Sequence, residues 1–216
     1  TIATLSHHIK NILQGIRGGS YLIEEGLKDE DAGVIRSGWS IVEKNQEKIS
    51  NLVMDMLTFS KEREPDPVPA NLNDVTADVI ELLRLKAEED GIQLSWEPTA
   101  SMPTITFDPE AIHRALLNVL SNALDAAREA DEGRVTVETK FDETAQMGCI
   151  IVEDNGGGIE PEELEQVFKM FVSTKGHRGT GLGLPVSQKI MQEHGGDIRV
   201  ESEVGRGSRF ILELPA

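Results

Sequence analysis

Cysteine is almost absent from this chain, because Cys149 is the single one among 216 residues. No disulfide can therefore form within the chain, which fits a reducing cytoplasm better than an oxidising compartment. Long apolar runs are missing as well, and no stretch approaches the roughly 18 apolar residues that span a bilayer. No signal peptide is visible, and the chain opens inside an amphipathic segment without an initiator methionine. We therefore expect a cytoplasmic fragment of a longer protein.

Positive charge is scarce too, since 21 Lys and Arg residues stand against 38 Asp and Glu residues and the net charge is −17. Binding to nucleic acid demands clustered Lys and Arg that neutralise phosphates, so we expect no nucleic-acid partner. The same charge disfavours an anionic membrane surface, and we expect no membrane contact by this fragment.

Residues 1–63 carry the heptad pattern of two helices. Isoleucine recurs every seven residues from Ile2 to Ile23, and a second apolar series runs from Ile35 to Met56 after a turn around residues 28–31. Two such helices joined by a short turn form an antiparallel hairpin. Further apolar residues widen the stripes and favour pairing of two copies into a four-helix bundle, although an isolated coiled-coil spacer would be equally heptadic. These widening residues are Leu13, Leu27, Trp39 and Val53.

Proline at positions 65, 67 and 69 marks residues 64–70 as a linker, because alternate prolines block both a helix and a central strand. Residues 71–216 mix helix and strand periods. The expected fold class is α+β, in which the helical hairpin precedes a two-layer α/β sandwich of one sheet and three helices. The predicted helices are 73–89, capped by Asn71 or Asn73, 109 to about 129, and 183–194. The predicted strands are 92–96, 104–107, 134–141, 148–153, 197–202 and 208–214.

The stretch from Val152 to Ile159 joins the end of a buried strand to a carboxylate and three consecutive glycines. Asp154 is expected at the C-terminal mouth of that strand, where an acceptor-only carboxylate suits an exocyclic amine such as that of adenine. Glycine backbone, here Gly156 to Gly158, can adopt positive φ and approach a flat ligand closely. A plain Asn-Gly hairpin turn is the commoner meaning of such a dipeptide. Two further features favour a nucleotide pocket.

One is a pair of asparagines, Asn118 and Asn122, which lie four apart and interrupt an apolar helical stripe on one face. Such side chains need polar partners, and magnesium bridging phosphate oxygens is a candidate because it prefers oxygen ligands. The alternative is that neighbouring backbone satisfies both asparagines, which is a stronger possibility for Asn118 than for Asn122.

The other is a second glycine cluster that opens a helix, where free amides bind phosphate. Its spacing is neither the Rossmann nor the Walker pattern. Thr174, Lys175 and Arg178 just upstream could meet γ-phosphate charge or could simply be solvated. Gly205-Arg206-Gly207 is equally compatible with a hairpin turn and with a ligand contact. The cluster itself is Gly179-Thr180-Gly181-Leu182-Gly183.

Taken in order, these motifs resemble the N, G and F boxes of sensor histidine kinases, across residues 71–216. The resemblance implies the ATP-binding fold shared with gyrase, a heat-shock chaperone family and the MutL mismatch-repair proteins. It implies that Asp154 binds the adenine amine, that Asn122 binds magnesium and that residues about 160–183 form an ATP lid. The motifs are Asn122-Ala123, Asp154-x-Gly156-x-Gly158, Phe168 to Phe171 (with Met170 where proline is usual), Gly179 to Gly183, and Gly205-x-Gly207.

The segment Leu5–Leu13 resembles the phospho-acceptor segment of the same family, and the alignment makes His7 the acceptor. The heptad places His7 at the solvent-facing f position and His8 at g. His8 replaces the usual acidic residue, which takes the imidazole proton, and a neutral imidazole could still accept that proton. Ile12 replaces the usual proline, and Gly15, Gly18 and Gly19 could restore flexibility there. Two surface histidines on a helix are the plain alternative.

The resemblance thus implies an ATP- and magnesium-dependent histidine autokinase core. It would phosphorylate His7, with His8, Asn11, Lys175 and Arg178 as further catalytic residues, and pass the phosphoryl group to a response-regulator aspartate. Asn11 matches a position linked in this family to phosphatase activity. The implied partners are a second copy, a receiver domain and a sensor domain outside this fragment. The alternative functions are a nucleotide-binding dimeric scaffold or phosphatase with little autokinase activity, and a hydrolytic ATPase.

Overall fold

A computed structural model of the protein describes residues 2–60, 65–172 and 181–216. The chain divides into two compact units. The first comprises Thr1–Glu62 and Met170–Leu182, and the second comprises Arg63–Lys169 and Gly183–Ala216. No helix within the described ranges is long and apolar enough to cross a membrane.

The first unit is built on an antiparallel pair of long helices, α1 (Ile2–Lys28) and α2 (Ala32–Ser60). The predicted hairpin and its turn are confirmed. Asp31 starts α2, because its carboxylate Oδ1 accepts hydrogen bonds from the backbone N–H groups of Gly33 (2.8 Å) and Val34 (3.1 Å). These bonds satisfy donors that a helix start leaves without a partner.

Glycine brings the two helices together at the centre of the hairpin. Gly19 and Gly38 are buried, and a Cβ on Gly19 would lie 2.7 Å from the carbonyl oxygen of Gly38. A Cβ on Gly15 would overlap the Asn45 amide group at 2.5 Å, whereas none of the described atoms lies within 4 Å of one on Gly18. The flexibility expected of Gly15, Gly18 and Gly19 stays a prediction. They lie within a continuous helix, and Gly15 and Gly19 serve close packing.

Gly19→Ala is expected to lower the free energy of unfolding by about 1–3 kcal/mol, because its methyl group would overpack the helix contact. Gly18→Ala is the matched control, since alanine at an exposed helical site should raise stability by about 0.5–1 kcal/mol. Urea unfolding followed by helical circular dichroism measures both. Equal midpoints for the two variants would contradict close packing at Gly19.

The second unit holds a five-stranded sheet in the order β2-β4-β5-β7-β6. Its strands β2 and β4 are parallel, and the other neighbours are antiparallel. Three helices, α3, α4 and α6, supply apolar residues to one core together with the sheet, which confirms the predicted two-layer sandwich. The strands are β2 (Gln93–Glu97), β4 (Arg134–Asp142), β5 (Met147–Asp154), β6 (Asp197–Glu203) and β7 (Gly207–Pro215). The helices are α3 (Leu72–Glu89), α4 (Pro109–Ala127) and α6 (Gly183–Glu193).

A second sheet of two strands was not expected. It pairs β1 (Val68–Asn71) with β3 (Thr104–Phe107), so strand structure begins inside the predicted linker. Pro69 is tolerated in β1 because a two-stranded sheet has only edges, where a missing N–H can face away from the ladder. A short helix, α5 (Pro161–Leu164), also lies in the predicted lid. The prediction of a single sheet is therefore wrong.

Side-chain caps fix the starts of α3 and α4. The side chain of Asn71 accepts a hydrogen bond from the N–H of Asn73 (2.8 Å), which settles the choice between two possible caps. Asp108 accepts from the N–H of Ala111 (3.1 Å), with Pro109 in the first helical turn, as predicted. The second cap sets the direction of α4 and therefore the position of its two asparagines.

Candidate active site

Asp154 is a buried carboxylate at the end of the central strand β5, with 4% of its surface exposed. Strand alternation places it on the same face as Ile150 and Val152, which belong to the core shared with the helices. Its Oδ1 accepts a hydrogen bond from the N–H of Gly156 at 2.9 Å. The carboxylate of Asp154 is therefore a strong hydrogen-bond acceptor at the edge of an apolar core.

Asn155 fastens the segment that follows β5, here called the glycine loop (Asn155–Ile159). Its Oδ1 accepts from the N–H of Arg134 (2.7 Å), and its Nδ2 donates to the carbonyl of Glu132 (2.7 Å). Its own N–H donates to the carbonyl of Arg134 (3.2 Å). These three bonds tie the loop to the start of β4. They make Asn155 a structural residue that sequence reasoning read only as part of a turn.

The glycines of this loop are needed by the protein itself. A Cβ on Gly156 would lie 2.6 Å from the carbonyl oxygen of Ala126, in the last turn of α4. Gly158 has φ +73°, and a Cβ there would overlap the carbonyl oxygen of Glu203. A Cβ on Gly157, by contrast, would meet none of the described atoms within 4 Å. Gly156 and Gly158 thus allow close backbone packing, and the ligand contact expected of them stays a prediction.

The turn Gly205-Arg206-Gly207 connects β6 to β7 and contacts the glycine loop. The N–H of Gly205 donates to the carbonyl of Gly157 at 2.8 Å. Gly207 has φ +109°, and a Cβ there would overlap the carbonyl oxygen of Asp154. The predicted hairpin turn is therefore confirmed, and a ligand contact of this segment stays a prediction.

The two asparagines of α4 are half-buried and lie one turn apart. The Nδ2 of Asn118 donates to the carbonyl of Gly183 (3.2 Å) and to Ser187 Oγ (3.4 Å), both in the first turns of α6. A Cβ on Gly183 would make ordinary contact with Asn118, 3.5 Å from its Cγ. The amide nitrogen of Asn118 is therefore satisfied within the protein, and the ligand contacts expected of Asn118 and Asn122 stay predictions.

Five predicted lid residues lie outside the described residues: Thr174, Lys175, Arg178, Gly179 and Thr180. Gly181 adopts φ +64°, and its carbonyl accepts a hydrogen bond from the N–H of Phe171 (2.8 Å). Leu182 is buried in the first unit with Ile12 and Leu52. Any contact of Leu182 with a nucleotide would therefore come from its backbone.

The histidines of α1 differ in exposure as their heptad positions predict. His7 is exposed, and His8 and Asn11 are half-buried. Ile12, at the expected d position, is buried. An exposed imidazole at His7 is accessible to a phosphoryl donor, whereas the catalytic roles of these residues stay predictions.

Two further features bear on the chemistry of the described residues: the thiol of Cys149 and the possible metal ligands. Burial raises the pKa of the Cys149 thiol, with a smaller contribution from the negative charge of Glu213, so the thiol is protonated at neutral pH. Within the described ranges, no group of three or more His, Cys, Asp or Glu side chains could hold a metal ion. The chemistry near Asp154 therefore suits a bound ligand and offers no protein-made metal cage in the described part.

Residues 107–216, about half of the chain, match a family model described as histidine kinase-, DNA gyrase B- and HSP90-like ATPase. The chain belongs to this ATPase family. The matched region of this ATPase-family member contains β5, the glycine loop, α4 and the β6–β7 turn. Its resemblance to sensor histidine kinases is confirmed by the similar proteins.

Two curated relatives of this ATPase-family chain are sensor proteins. It is 32% identical to the sensor histidine kinase ZraS of Salmonella typhi over 99% of this chain. It is also 32% identical to the aerobic respiration control sensor protein ArcB of Escherichia coli strain K12 over 100% of this chain. The chain spans 44% of the length of ZraS and 28% of the length of ArcB.

Solved structures agree with the fold. Full-length ShkA in complex with AMPPNP has a TM-score of 0.74 and 28% identity, covering 99% of this chain and 45% of ShkA. The nucleotide-free catalytic domain of the histidine kinase ThkA has a TM-score of 0.61 and 29% identity, covering 69% of this chain and 97% of that domain. The first likeness extends over both compact units and the second over a smaller part of the chain.

Proposed function

We propose that this chain is the core of an ATP-dependent histidine autokinase, which phosphorylates His7 and passes the phosphoryl group to an aspartate of a response regulator. The observation that carries the proposal is the buried Asp154 carboxylate, held by Gly156 at the end of β5 beside a loop braced on two sides. Membership of the ATPase family and the relatives named as sensor histidine kinases support it. In this proposal residues 1–63 form the phospho-acceptor hairpin and residues 71–216 the catalytic domain.

Adenine recognition would rest on Asp154. One carboxylate oxygen accepts from the N–H of Gly156, and a carboxylate has further lone pairs that can accept from the exocyclic amine of adenine. Because Asp154 is almost fully buried, this hydrogen bond would form away from bulk water, where it is stronger. The fixed geometry of the glycine loop would orient the ring at little further entropic cost.

Magnesium fits the donor set on α4. The Nδ2 of Asn118 is engaged with Gly183 and Ser187, so oxygen is the atom it could offer, and Asn122 lies one turn further on. Amide oxygen is a ligand that magnesium accepts, and the ion usually takes few ligands from protein. When bound with ATP it would neutralise charge on the phosphates. We assign Asn122 as the ligand and ATP with Mg²⁺ as the cofactor pair.

Phosphoryl transfer would use the exposed imidazole of His7 as the nucleophile. A ring nitrogen forms a bond to the γ-phosphorus while the bond from that phosphorus to the β–γ bridging oxygen breaks, and ADP leaves with that oxygen. The proton of the attacking imidazole passes to a base, for which His8 is the nearest candidate in sequence. Thr174, Lys175, Arg178 and the cluster from Gly179 to Gly183 would bind the phosphates.

A second copy of the chain is the proposed partner of the hairpin. Large apolar side chains remain exposed on both helices, and the predicted widening residues Leu13, Leu27, Trp39 and Val53 are all among them. An exposed apolar surface of this extent favours burial against another chain, and two hairpins would form a four-helix bundle. The other exposed apolar side chains are Tyr21, Ile41, Met54, Met56 and Leu57.

A receiver domain would dock beside His7. A shallow groove of about 530 Å³ runs along α1, and its lining includes Leu13 and the positive charges of Lys10 and Arg17. This positive charge would favour a partner surface of negative charge. The remaining lining residues are Ser6, Ile9 and Gln14.

A cytoplasmic setting is proposed for this segment. The single cysteine, Cys149, carries a free thiol, and the kinase assignment fits the same compartment.

Labelling with radioactive ATP tests the proposal. With Mg²⁺, the chain should acquire label from [γ-³²P]ATP but not from [α-³²P]ATP, and the bond should be labile in acid, as expected for a phosphohistidine. Added receiver domain should then take up the label. Nucleotide binding without any γ-label under these conditions would contradict the autokinase.

A phosphatase with little autokinase activity is the second candidate, and the observation that favours it is His8 in place of a carboxylate. Asn11, half-buried one turn after His7, matches the position linked to phosphatase activity in the family. Release of phosphate from a phosphorylated receiver domain, lost in Asn11→Ala and found without γ-label on His7, would support this candidate over the first.

A further inference from the structure

Ser202 on β6 joins three parts of the second unit through one hydroxyl group. Its Oγ accepts a hydrogen bond from the N–H of Ile159 (2.9 Å), the last residue of the glycine loop. The same Oγ donates to the carbonyl of Gly207 at 2.8 Å and lies 2.9 Å from Ser208 Oγ. A single serine therefore links the loop, the β6–β7 turn and the start of β7.

Strand register places Ser202 in a row with Asp154. Ser202 pairs with Ser208 across β6 and β7, and Ser208 pairs with Asp154 across β7 and β5. Directly paired residues of antiparallel strands point to the same face of the sheet. Ser208 is buried, with 7% of its surface exposed. The row Ser202, Ser208, Asp154 thus runs along one face toward the carboxylate that would receive adenine.

The hydroxyl protons available in this row determine which side chain donates in each hydrogen bond. A hydroxyl has one proton to donate and two lone pairs to accept with. Since Ser202 gives its proton to Gly207 and accepts from Ile159, its second lone pair is left for the hydroxyl of Ser208. Ser208 then donates to Ser202. Removing the Ser202 hydroxyl would release the loop N–H and free the Ser208 hydroxyl to rotate.

Backbone contacts with the β6–β7 region hold only part of the glycine loop. The N–H of Gly205 reaches the carbonyl of Gly157, and Gly158 packs on the carbonyl of Glu203, but the end of the loop at Ile159 is held by the side chain of Ser202. An unsatisfied half-buried N–H is costly, so without this bond Ile159 would move toward water. The Ile159 end of the loop would lose its fixed position, while Asn155 would still tie the other end to β4.

We propose that Ser202 is a positioning residue for adenine-nucleotide binding, which holds the Ile159 end of the glycine loop that follows Asp154. The inference rests on the proposed function, in which Asp154 receives the adenine amine. Ser202 acts through its neighbours and needs no contact with the nucleotide itself. Sequence reasoning missed it, although the turn at Gly205 already placed residues 202 and 208 at symmetric positions of a hairpin.

The decisive experiment compares Ser202→Val with Ser202→Thr, because the two side chains have nearly the same shape and only threonine keeps the hydroxyl. The Kd for ADP is measured by titration calorimetry, and KM and kcat for ATP by autophosphorylation. Ser202→Val should raise Kd and KM about tenfold, as expected for loss of a hydrogen bond that preorganises a site. The kcat at saturating ATP should stay within about twofold, and Ser202→Thr should remain within about threefold of the wild type in all three quantities.

Amide hydrogen exchange of Ile159 gives a second readout that does not need nucleotide. Protection of this N–H should fall in Ser202→Val and in Ser202→Ala and persist in Ser202→Thr. If Ser202→Val does not fold, Ser202→Ala replaces it in both measurements.

Equal KM values in the valine and threonine variants, or unchanged Ile159 protection in a folded variant without the hydroxyl, would overturn the inference. If Asp154→Asn loses ADP while Ser202→Val keeps it, the inference fails and the proposed function stands. If the wild-type chain itself does not bind ADP, the proposed function fails and the inference fails with it.

Discussion

Asp154→Asn is expected to weaken ADP binding about 100-fold while the chain remains folded. In the wild type one carboxylate oxygen accepts from the N–H of Gly156 (2.9 Å), and a carboxylate has further lone pairs that can accept from an amine. If the asparagine oxygen keeps the bond to Gly156, its NH₂ group would face the adenine amine, so that two donors meet. Loss of a hydrogen bond to a charged group costs about 1.5–3 kcal/mol, and a factor of 100 corresponds to about 2.7 kcal/mol.

Glu153→Gln is the matched control for that experiment. It removes the same charge one residue earlier in β5, but Glu153 is exposed on the opposite face of the sheet, 3.9 Å from Arg209. Its ADP affinity should change less than about twofold, because an exposed ion pair contributes little. Titration calorimetry on both variants checks the result. Unchanged affinity in Asp154→Asn, or an equal loss in Glu153→Gln, would contradict the role assigned to Asp154.

His7→Gln is expected to abolish γ-phosphate labelling, a loss of at least about a thousandfold, because the nucleophile itself is missing. ADP affinity should be unchanged, since His7 lies on α1 and takes no part in the nucleotide contacts proposed. His8→Gln should slow labelling about 10- to 100-fold without preventing it, as expected for removal of a proton acceptor. His8→Glu, which restores the acidic residue usual in the family, should label faster than the wild type.

Initial rates of label incorporation at saturating ATP distinguish these variants, and circular dichroism confirms that each hairpin is folded. Loss of labelling in His8→Gln together with full labelling in His7→Gln would show that the acceptor register is off by one residue. Equal rates for His8→Glu and the wild type would remove His8 from the chemistry.

Local signals in the sequence were enough for much of this fold. The heptads predicted both long helices and the turn at residues 28–31, and the caps Asn71 and Asp108 marked the starts of α3 and α4 within a residue or two. Apolar runs located the strands of the large sheet, including β5 with Asp154 at its end. In each case the signal lies within a few residues of the structure that it predicts.

What the sequence did not reveal depends on contacts between distant segments. β1 forms by pairing with β3, which lies far along the chain, and its Pro69 is tolerated at a sheet edge. Nothing local marks residues 68–71 as a strand. Gly156 is explained by Ala126 in α4, and Gly158 by Glu203 in β6. Gly19 and Gly38 face each other across the hairpin. The sequence predicted ligand contacts for Gly156 and Gly158 and flexibility for Gly19, and did not single out Gly38. The packing neighbours of these glycines come from elsewhere in the fold, so no local pattern marks them.

The most direct test of the account is to locate the phosphoryl group on the wild-type chain after incubation with ATP and Mg²⁺. Mass spectrometry under neutral or alkaline conditions, which preserve phosphohistidine, can assign it to a residue. We predict a phosphoryl group on His7, which should be absent when Asp154→Asn replaces the wild type at low ATP concentration. A phosphoryl group on His8 or on a residue outside α1, or none on a chain that binds ATP, would contradict it.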